Sequence, residues 1–159
     1  MDWIVRAARP DDYHGMSALF EEIDALHRQH HPEIFRKPEG PPREPEYWQG
    51  WFADENVGFF VSERNGEILG FVSGVVKESP PIPIMVPRRY AVVDSISVKR
   101  EFQGNGIGRA LMEFFQEWAS SKGATSLDLN VFEFNQDAVR FYERLGFESV
   151  SHRMSKAIK

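Results

Sequence analysis

The run Gln103-Gly104-Asn105-Gly106-Ile107-Gly108-Arg109 constrains this chain more than any other stretch. It stands between a β-prone segment, Tyr90 to Val98, and an amphipathic helical segment, Gly106 to Ser121, with Ile107, Leu111, Phe114, Phe115 and Trp118 on one side. Glycine lets the backbone turn sharply at positive φ and lets a ligand approach the main chain. The first N–H groups of the following helix lack intrahelical acceptors and sit at the positive end of its dipole. Such a unit cradles a phosphate, or else it is a turn that merely joins two elements. Counting excludes two phosphate loops. The third glycine of a G-x-G-x-x-G fingerprint falls on Arg109 from Gly104 and on Leu111 from Gly106. A P-loop needs Gly-Lys-Ser or Gly-Lys-Thr, and the chain has neither.

The remaining elements follow from periodicity and breakers. Trp3 to Ala8 is a short β-prone run, broken by Arg9-Pro10-Asp11-Asp12. From Tyr13 the positions Met16, Leu19, Phe20, Ile23 and Leu26 recur at helical spacing, and the pattern fades at His30-His31-Pro32. Pro38 to Pro45 carries four prolines and reads as a loop; Glu46 to Ala53 reads as a second helix. Val57 to Glu63 and Ile68 to Val76 are strands joined by a hairpin turn with the Asn65-Gly66 signal. A proline-rich loop, Ser79 to Pro87, leads into the strand Tyr90 to Val98. Leu127 to Val131 reads as a strand, Gln136 to Leu145 as a helix, and Phe147 to Ile158 as one strand or two. The expected fold is a mixed α/β (α+β) domain spanning residues 1–159, with a central sheet of six to seven strands and about four helices.

Composition narrows the function classes. At 42% hydrophobic, the 159 residues can bury a core of one-domain size. A net charge of −5 argues against non-specific nucleic-acid binding and favours a cationic partner. No apolar run approaches the ~18–20 residues of a membrane span. The opening MDWIVRAARPDD lacks a basic region followed by an apolar stretch, so no secretion signal is expected. Cysteine is absent, which removes disulfides and thiolate metal sites and fits a cytoplasmic location. His27, His30 and His31 have helix-compatible spacing for a metal, but Pro32 ends that helix and no fourth ligand is evident. They read as a solvated helix end, and no metal is expected.

Two motifs carry a family resemblance. Gln103 to Gly108 is similar to the [QR]-x-x-G-x-[GA] pyrophosphate loop of the GNAT superfamily of N-acetyltransferases. Asn135 to Phe147, NQDAVRFYERLGF, is similar to its second signature, N-x-x-A-x-x-[FL]-Y-x-x-x-G-F. They stand in the family's order, about thirty residues apart with one strand between, and Val93 to Val98 resembles its fourth strand. The resemblance implies a mostly antiparallel, twisted sheet and acetyl-coenzyme A as co-substrate. It also implies an amine acceptor, small molecule or protein, and a homodimer through the last strands or the sheet edge among the arrangements open to it.

The resemblance also implies site residues. Main-chain N–H groups from Gly104 through Asn105, Gly106, Ile107 and Gly108 to Arg109, with Gln103, would hold the coenzyme pyrophosphate. Main-chain groups of Ile96 and Val98 would pair with the pantetheine arm, and Asn135 would hold that arm or its waters. Tyr142 would protonate the leaving thiolate; otherwise it is a core aromatic beside Phe141. Lys99, Arg100 and Arg109 flank the loop as phosphate partners or as solvated cations. A free amine titrates near ~10.4 and must lose a proton before it attacks a thioester. Asp94 is the best-placed carboxylate, directly or through water, unless a nearby Arg or backbone amide pairs with it; Glu133 is a weaker alternative. Strand alternation puts Asp94 on the face of Ile96 and Val98, opposite Ser95 and Ser97. A backbone N–H of this strand would stabilise the oxyanion. Glu21, Glu22 and Asp24 would border the acceptor or form a solvated helix face, and Tyr47, Trp48, Trp51 and Phe52 would wall the acceptor pocket or pack the helix. A non-catalytic acyl-coenzyme A sensor would use the same loop without turnover.

Overall fold

The computed structural model describes residues 2–159. Among them are five strands, β1 (Ile4–Ala7), β2 (Val57–Arg64), β3 (Glu67–Glu78), β4 (Arg89–Val98) and β5 (Leu127–Leu129). Four α-helices accompany them, α1 (Tyr13–His30), α2 (Pro45–Ala53), α3 (Ile107–Ser121) and α4 (Gln136–Arg144). The strands form one sheet in the order β1-β2-β3-β4-β5, antiparallel except for the β4–β5 pair. The hairpin between β2 and β3 turns on Asn65 and Gly66, both at positive φ (51° and 84°), as a type I′ turn requires.

Each face of the sheet has its own core. Met16, Leu19 and Phe20 of α1 and Trp48 of α2 pack with Phe59, Val61, Ile68 and Phe71. Ile107, Leu111, Met112, Phe115 and Ala119 of α3 pack on the other face with Val72, Val76, Ala91 and Val93, and Tyr142 and Phe147 join this layer. The α3 stripe sits slightly rotated from the expected one: Met112 is buried, whereas Phe114 is partly exposed against Phe60.

Two expectations are corrected. The sheet has five strands rather than six to seven, because residues 148–159 form no strand and are exposed throughout. A strand needs a neighbour for its main-chain groups, and this segment pairs with none. β5 also stops at Leu129 instead of Val131, because its pairing with β4 ends at Val93.

That early end has a local cause. Ser73 of β3 pairs with Ser95 and Gly74 with Val93, so Asp94 is an extra residue on β4. A bulge of this kind bends the strand and strengthens its twist. Gly74 permits it, since a Cβ there would stand 2.2 Å from the Val92 carbonyl oxygen and 2.5 Å from the Phe115 ring. Gly74→Ala is therefore expected to cost about 3 kcal/mol of stability. Gly50→Ala, in α2 with open space around it, is expected to add about 1 kcal/mol. Urea unfolding of both variants against the parent measures the contrast.

Candidate active site

Beyond Val93 and Leu129, β4 and β5 separate into a cleft that reaches from the glycine loop to α1 and α2. It is an open groove of about 2450 Å³, well above the ~300–1,000 Å³ of a typical small-ligand pocket. Two ligands fit such a space better than one.

β4 supplies the floor. Lys99 donates its N–H to Leu69 of β3, so by strand alternation Ser95 and Ser97 also bond towards β3. The main-chain groups of Ile96 and Val98 then face the gap, where no β5 residue pairs with them. The Val98 carbonyl accepts from Gln103 Nε2 at 2.9 Å, which ties the loop to the end of the strand.

The loop itself is pre-shaped. Gly104 and Gly106 hold φ of 83° and 84°, and a Cβ on either would meet nothing within 4 Å. Gly106 is the N-cap of α3 and brings no capping side chain. The first helical bond there is Ala110 N–H to the Gly106 carbonyl, so the N–H groups of Ile107, Gly108 and Arg109 have no intrahelical acceptor. Asn105 Nδ2 donates to the Phe102 carbonyl at 3.1 Å and braces the turn. Gly108 has a different task. A Cβ there would stand 3.2 Å from the Phe141 ring, so its glycine lets α4 pack closely on α3.

Asp94 lies on the opposite face from the one that unbroken alternation gives. Ala91, Val93, Ile96 and Val98 all pack with the α3 layer. Only the bulge reconciles these odd and even positions, and it puts Asp94 on the α1 side with Ser95 and Ser97. Partial desolvation by the cleft walls pushes the Asp94 carboxyl above its ordinary range although the residue stays open to solvent, and the charge of Lys77 partly opposes this. Tyr142 reaches the same cleft from α4, and burial pushes its phenol up to about 12. Tyr142 therefore stays protonated throughout the neutral range.

Asn135 is the N-cap of α4, its Oδ1 accepting from the Ala138 N–H at 3.2 Å. That leaves its Nδ2 for a ligand in the cleft it lines. Lys99 is paired with Glu67 at 3.2 Å and Arg109 with Glu113 at 3.6 Å, while Arg100 lines the cleft. Glu133 lies on the surface, 3.8 Å from His152. Glu21 pairs with Arg28 and Asp24 with Arg43, leaving Glu22 as the α1 acid of that trio that lines the cleft outside an ion pair. In α2, Trp48 is buried while Tyr47 and Trp51 line the cleft, so packing and walling are divided among neighbours.

The histidines at the end of α1 are partly solvated, His30 being exposed, and they also carry aromatic contacts. His30 stacks on Phe134 at 4.0 Å and His31 lies 4.7 Å from Phe132, with His27 edge-on to both phenylalanines. This aromatic cluster joins α1 to the loop between β5 and α4. The sequence signal was Phe132-x-Phe134 at the end of a strand, spaced to meet rings on another element.

Comparison with known proteins is consistent across three kinds of match. The family described as Acetyltransferase (GNAT) matches residues 20–147. An uncharacterized N-acetyltransferase of Methanocaldococcus jannaschii is 37% identical over 107 residues, 64% of this chain and 46% of that protein. The chain thus spans less than half the length of the curated relatives it matches first. A tetramutant of the BH1408 protein from Bacillus halodurans superposes with a TM-score of 0.91 at 25% identity, over 98% of this chain and 99% of that one. The aminoglycoside N-acetyltransferase AAC(6')-Iy in complex with CoA shares the fold, with a TM-score of 0.77 at 14% identity over 99% and 95% of the two chains.

The cap geometry generates a test that needs no ligand. Asn135→Ala is expected to cost about 1 kcal/mol and Asn135→Asp close to nothing, measured by chemical denaturation.

Proposed function

The chain belongs to the GNAT acetyltransferase family, and on that footing we propose that it moves an acetyl group from acetyl-coenzyme A to a primary amine by direct attack on the thioester. Residues 1–159 act in this reading as one N-acetyltransferase domain of the cytoplasm. The observation that carries it is the β4–β5 cleft, whose continuous lining includes unpaired strand main chain, an open glycine cradle, a carboxylate and a phenol.

The residues present fit the co-substrate. The empty space above Gly104 and Gly106 suits a pyrophosphate against the free N–H groups of Ile107, Gly108 and Arg109. Ile96 and Val98 offer main-chain groups to the pantetheine amides, and Asn135 Nδ2 adds a donor. Acetyl-coenzyme A supplies the activated acyl group. The amine nitrogen bonds to the thioester carbonyl carbon as the C–S bond breaks. Asp94, through a water, collects the proton that the nitrogen sheds, and Tyr142 gives its proton to the departing sulfur. A carboxyl raised by desolvation is a stronger base than a free one, and a phenol kept neutral is ready to donate. At the α1–α2 end of the cleft Glu22, Glu39, Glu44 and Asp94 outnumber Arg36 and Lys37, with Arg43 paired to Asp24, and this balance favours a cationic acceptor there.

The reading is tested by mixing the protein with acetyl-coenzyme A and a panel of amines and following free thiol. Release with at least one primary amine is the expected result; binding without release across the panel would overturn the enzymatic reading and leave a sensor. Tyr142→Phe is expected to lower turnover by ~10²–10⁴ with little change in coenzyme affinity. Asp94 carries a pH signature as well. Because desolvation raises its pKa, the active deprotonated form is lost on acidification above the usual ~3.9 of a free Asp. The acid limb of the rate should stand above that value and vanish in Asp94→Asn. That variant should lose kcat more than KM, and recover in part near pH ~10, where the acceptor is already neutral.

A further inference from the structure

The chain has six lysines, Lys37, Lys77, Lys99, Lys122, Lys156 and Lys159. Among the described residues Lys37 alone of the six lines the cleft that also holds Asp94, Tyr142 and the glycine loop. The loop that carries it is anchored at both ends. After α1 the His31 carbonyl accepts from the N–H groups of Ile34 at 3.0 Å and Phe35 at 2.9 Å, which turns the chain back. The Phe35 ring then packs against His27 at 5.3 Å and Phe132 at 5.9 Å, and both of these line the cleft. At the far end Arg43 grips Asp24 of α1 with bonds of 2.8 and 3.1 Å, and its carbonyl accepts from the Tyr13 hydroxyl at 2.7 Å. Arg36 to Pro42, between these anchors, belong to no helix or strand, and every one of them lines the cleft. Lys37 is exposed there on a flexible four-carbon stem. An amine tethered to the wall of a site meets the bound reactant as an intramolecular partner, at an effective concentration that a free acceptor has to match.

Resting on the acetyl-transfer reading of this cleft, we propose that Lys37 is an acceptor built into the chain: the site acetylates its own Lys37 and so removes a cation from its acceptor end. The neutral Nζ of Lys37 bonds to the thioester carbonyl carbon as the C–S bond breaks, the electron pair of that bond leaving with sulfur. The proton shed by nitrogen passes through water to Asp94, and Tyr142 protonates the sulfur. Solvent then carries the proton from Asp94 back to Tyr142, and the products are Nε-acetyl-Lys37 and free coenzyme A. Glu22, Glu39 and Glu44 line the same end of the cleft. Once Lys37 is neutral, Arg36 is the cation that opposes them there, since Arg43 is held by Asp24. The modified cleft therefore attracts a cationic amine more strongly.

The test incubates the full chain with acetyl-coenzyme A and no amine, and reads the product by intact mass and peptide mapping. One acetyl group on Lys37 is expected, at a rate per molecule that does not change with protein concentration. Lys37→Arg should take none, and Tyr142→Phe should slow the reaction by the factor that it slows amine turnover. Lys77, whose charge reaches Asp94 from outside the lining, and the exposed Lys156 report uncatalysed acetylation. Modification of Lys37 no faster than of these two, or a rate that rises with protein concentration, would overturn the inference. Thiol release with added amines from a protein whose Lys37 stays unmodified would overturn it too, and leaves the transfer reading standing; no release with or without amines removes both. Lys37→Gln, which has neither charge nor nucleophile, is expected to lower KM for a cationic amine about two- to fivefold, the size of one exposed charge contact. An unchanged KM would overturn the charge effect.

Discussion

The extra residue at Asp94 is the constraint on which the rest of the site depends. Two strands of equal length in register would keep β4 beside β5 along its whole course, and there would be no cleft. With Asp94 inserted opposite the Ser73–Gly74 step, β4 bends, its pairing with β5 stops at Val93, and the main chain of Ile96 and Val98 is left facing open space. The bulge also decides which layer the carboxylate serves. Its side chain leaves the α3 core, where an unpaired charge would be costly, and joins the two serines on the α1 side. The condition is absence of a side chain at Gly74, where the Val92 carbonyl and the Phe115 ring occupy the place of a Cβ.

The glycine loop works through the same end of β4. Gln103 holds the Val98 carbonyl, Asn105 closes the turn on Phe102, and α3 begins without a side chain on its first N–H groups. The anchoring bonds lie beneath the loop, so its upper side is open. On the other face of the sheet, Arg6 grips both oxygens of the buried Asp12 at 2.9 Å and reaches Glu63, fixing the turn that starts α1 to β1 and β2. Burial raises the Asp12 carboxyl, but the bonds from Arg6 and from the Arg9 N–H outweigh it, so the net direction is down. This contribution is present above the unfolded carboxylate range and fades as pH falls through the lowered value.

Element order, the helical stripes and the two signature loops were legible because each is written in local pattern: period, breaker, turn residue. The Asn65-Gly66 hairpin and the Gly104–Gly106 turn needed no tertiary information, since positive φ is a property of single residues. The face of Asp94 was not legible. Alternation assumes an unbroken ladder, and a bulge is set by what the neighbouring strand and helix tolerate, here Gly74 under Phe115. The aromatic contacts of the α1 histidines were not legible for a similar reason: their partners, Phe132 and Phe134, lie about a hundred residues away in sequence. Residues 148–159 carry a strand pattern without a strand, so pattern there reported a preference and not a neighbour.

The two cores share no buried side chain, because the sheet stands between them. The α1–α2 layer is largely ring against ring, with Phe20, Trp48, Phe59 and Phe71 in edge and stacked contacts. The opposite layer carries the loop at the head of α3. A sheet that separates them acts as a bulkhead: repacking on the aromatic side ends at the backbone of β2 and β3 and does not travel into α3. Descendants of such a chain are free to re-cut the wall formed by α1 and α2 while the phosphate-facing half keeps its shape, which is how one scaffold diversifies without being rebuilt.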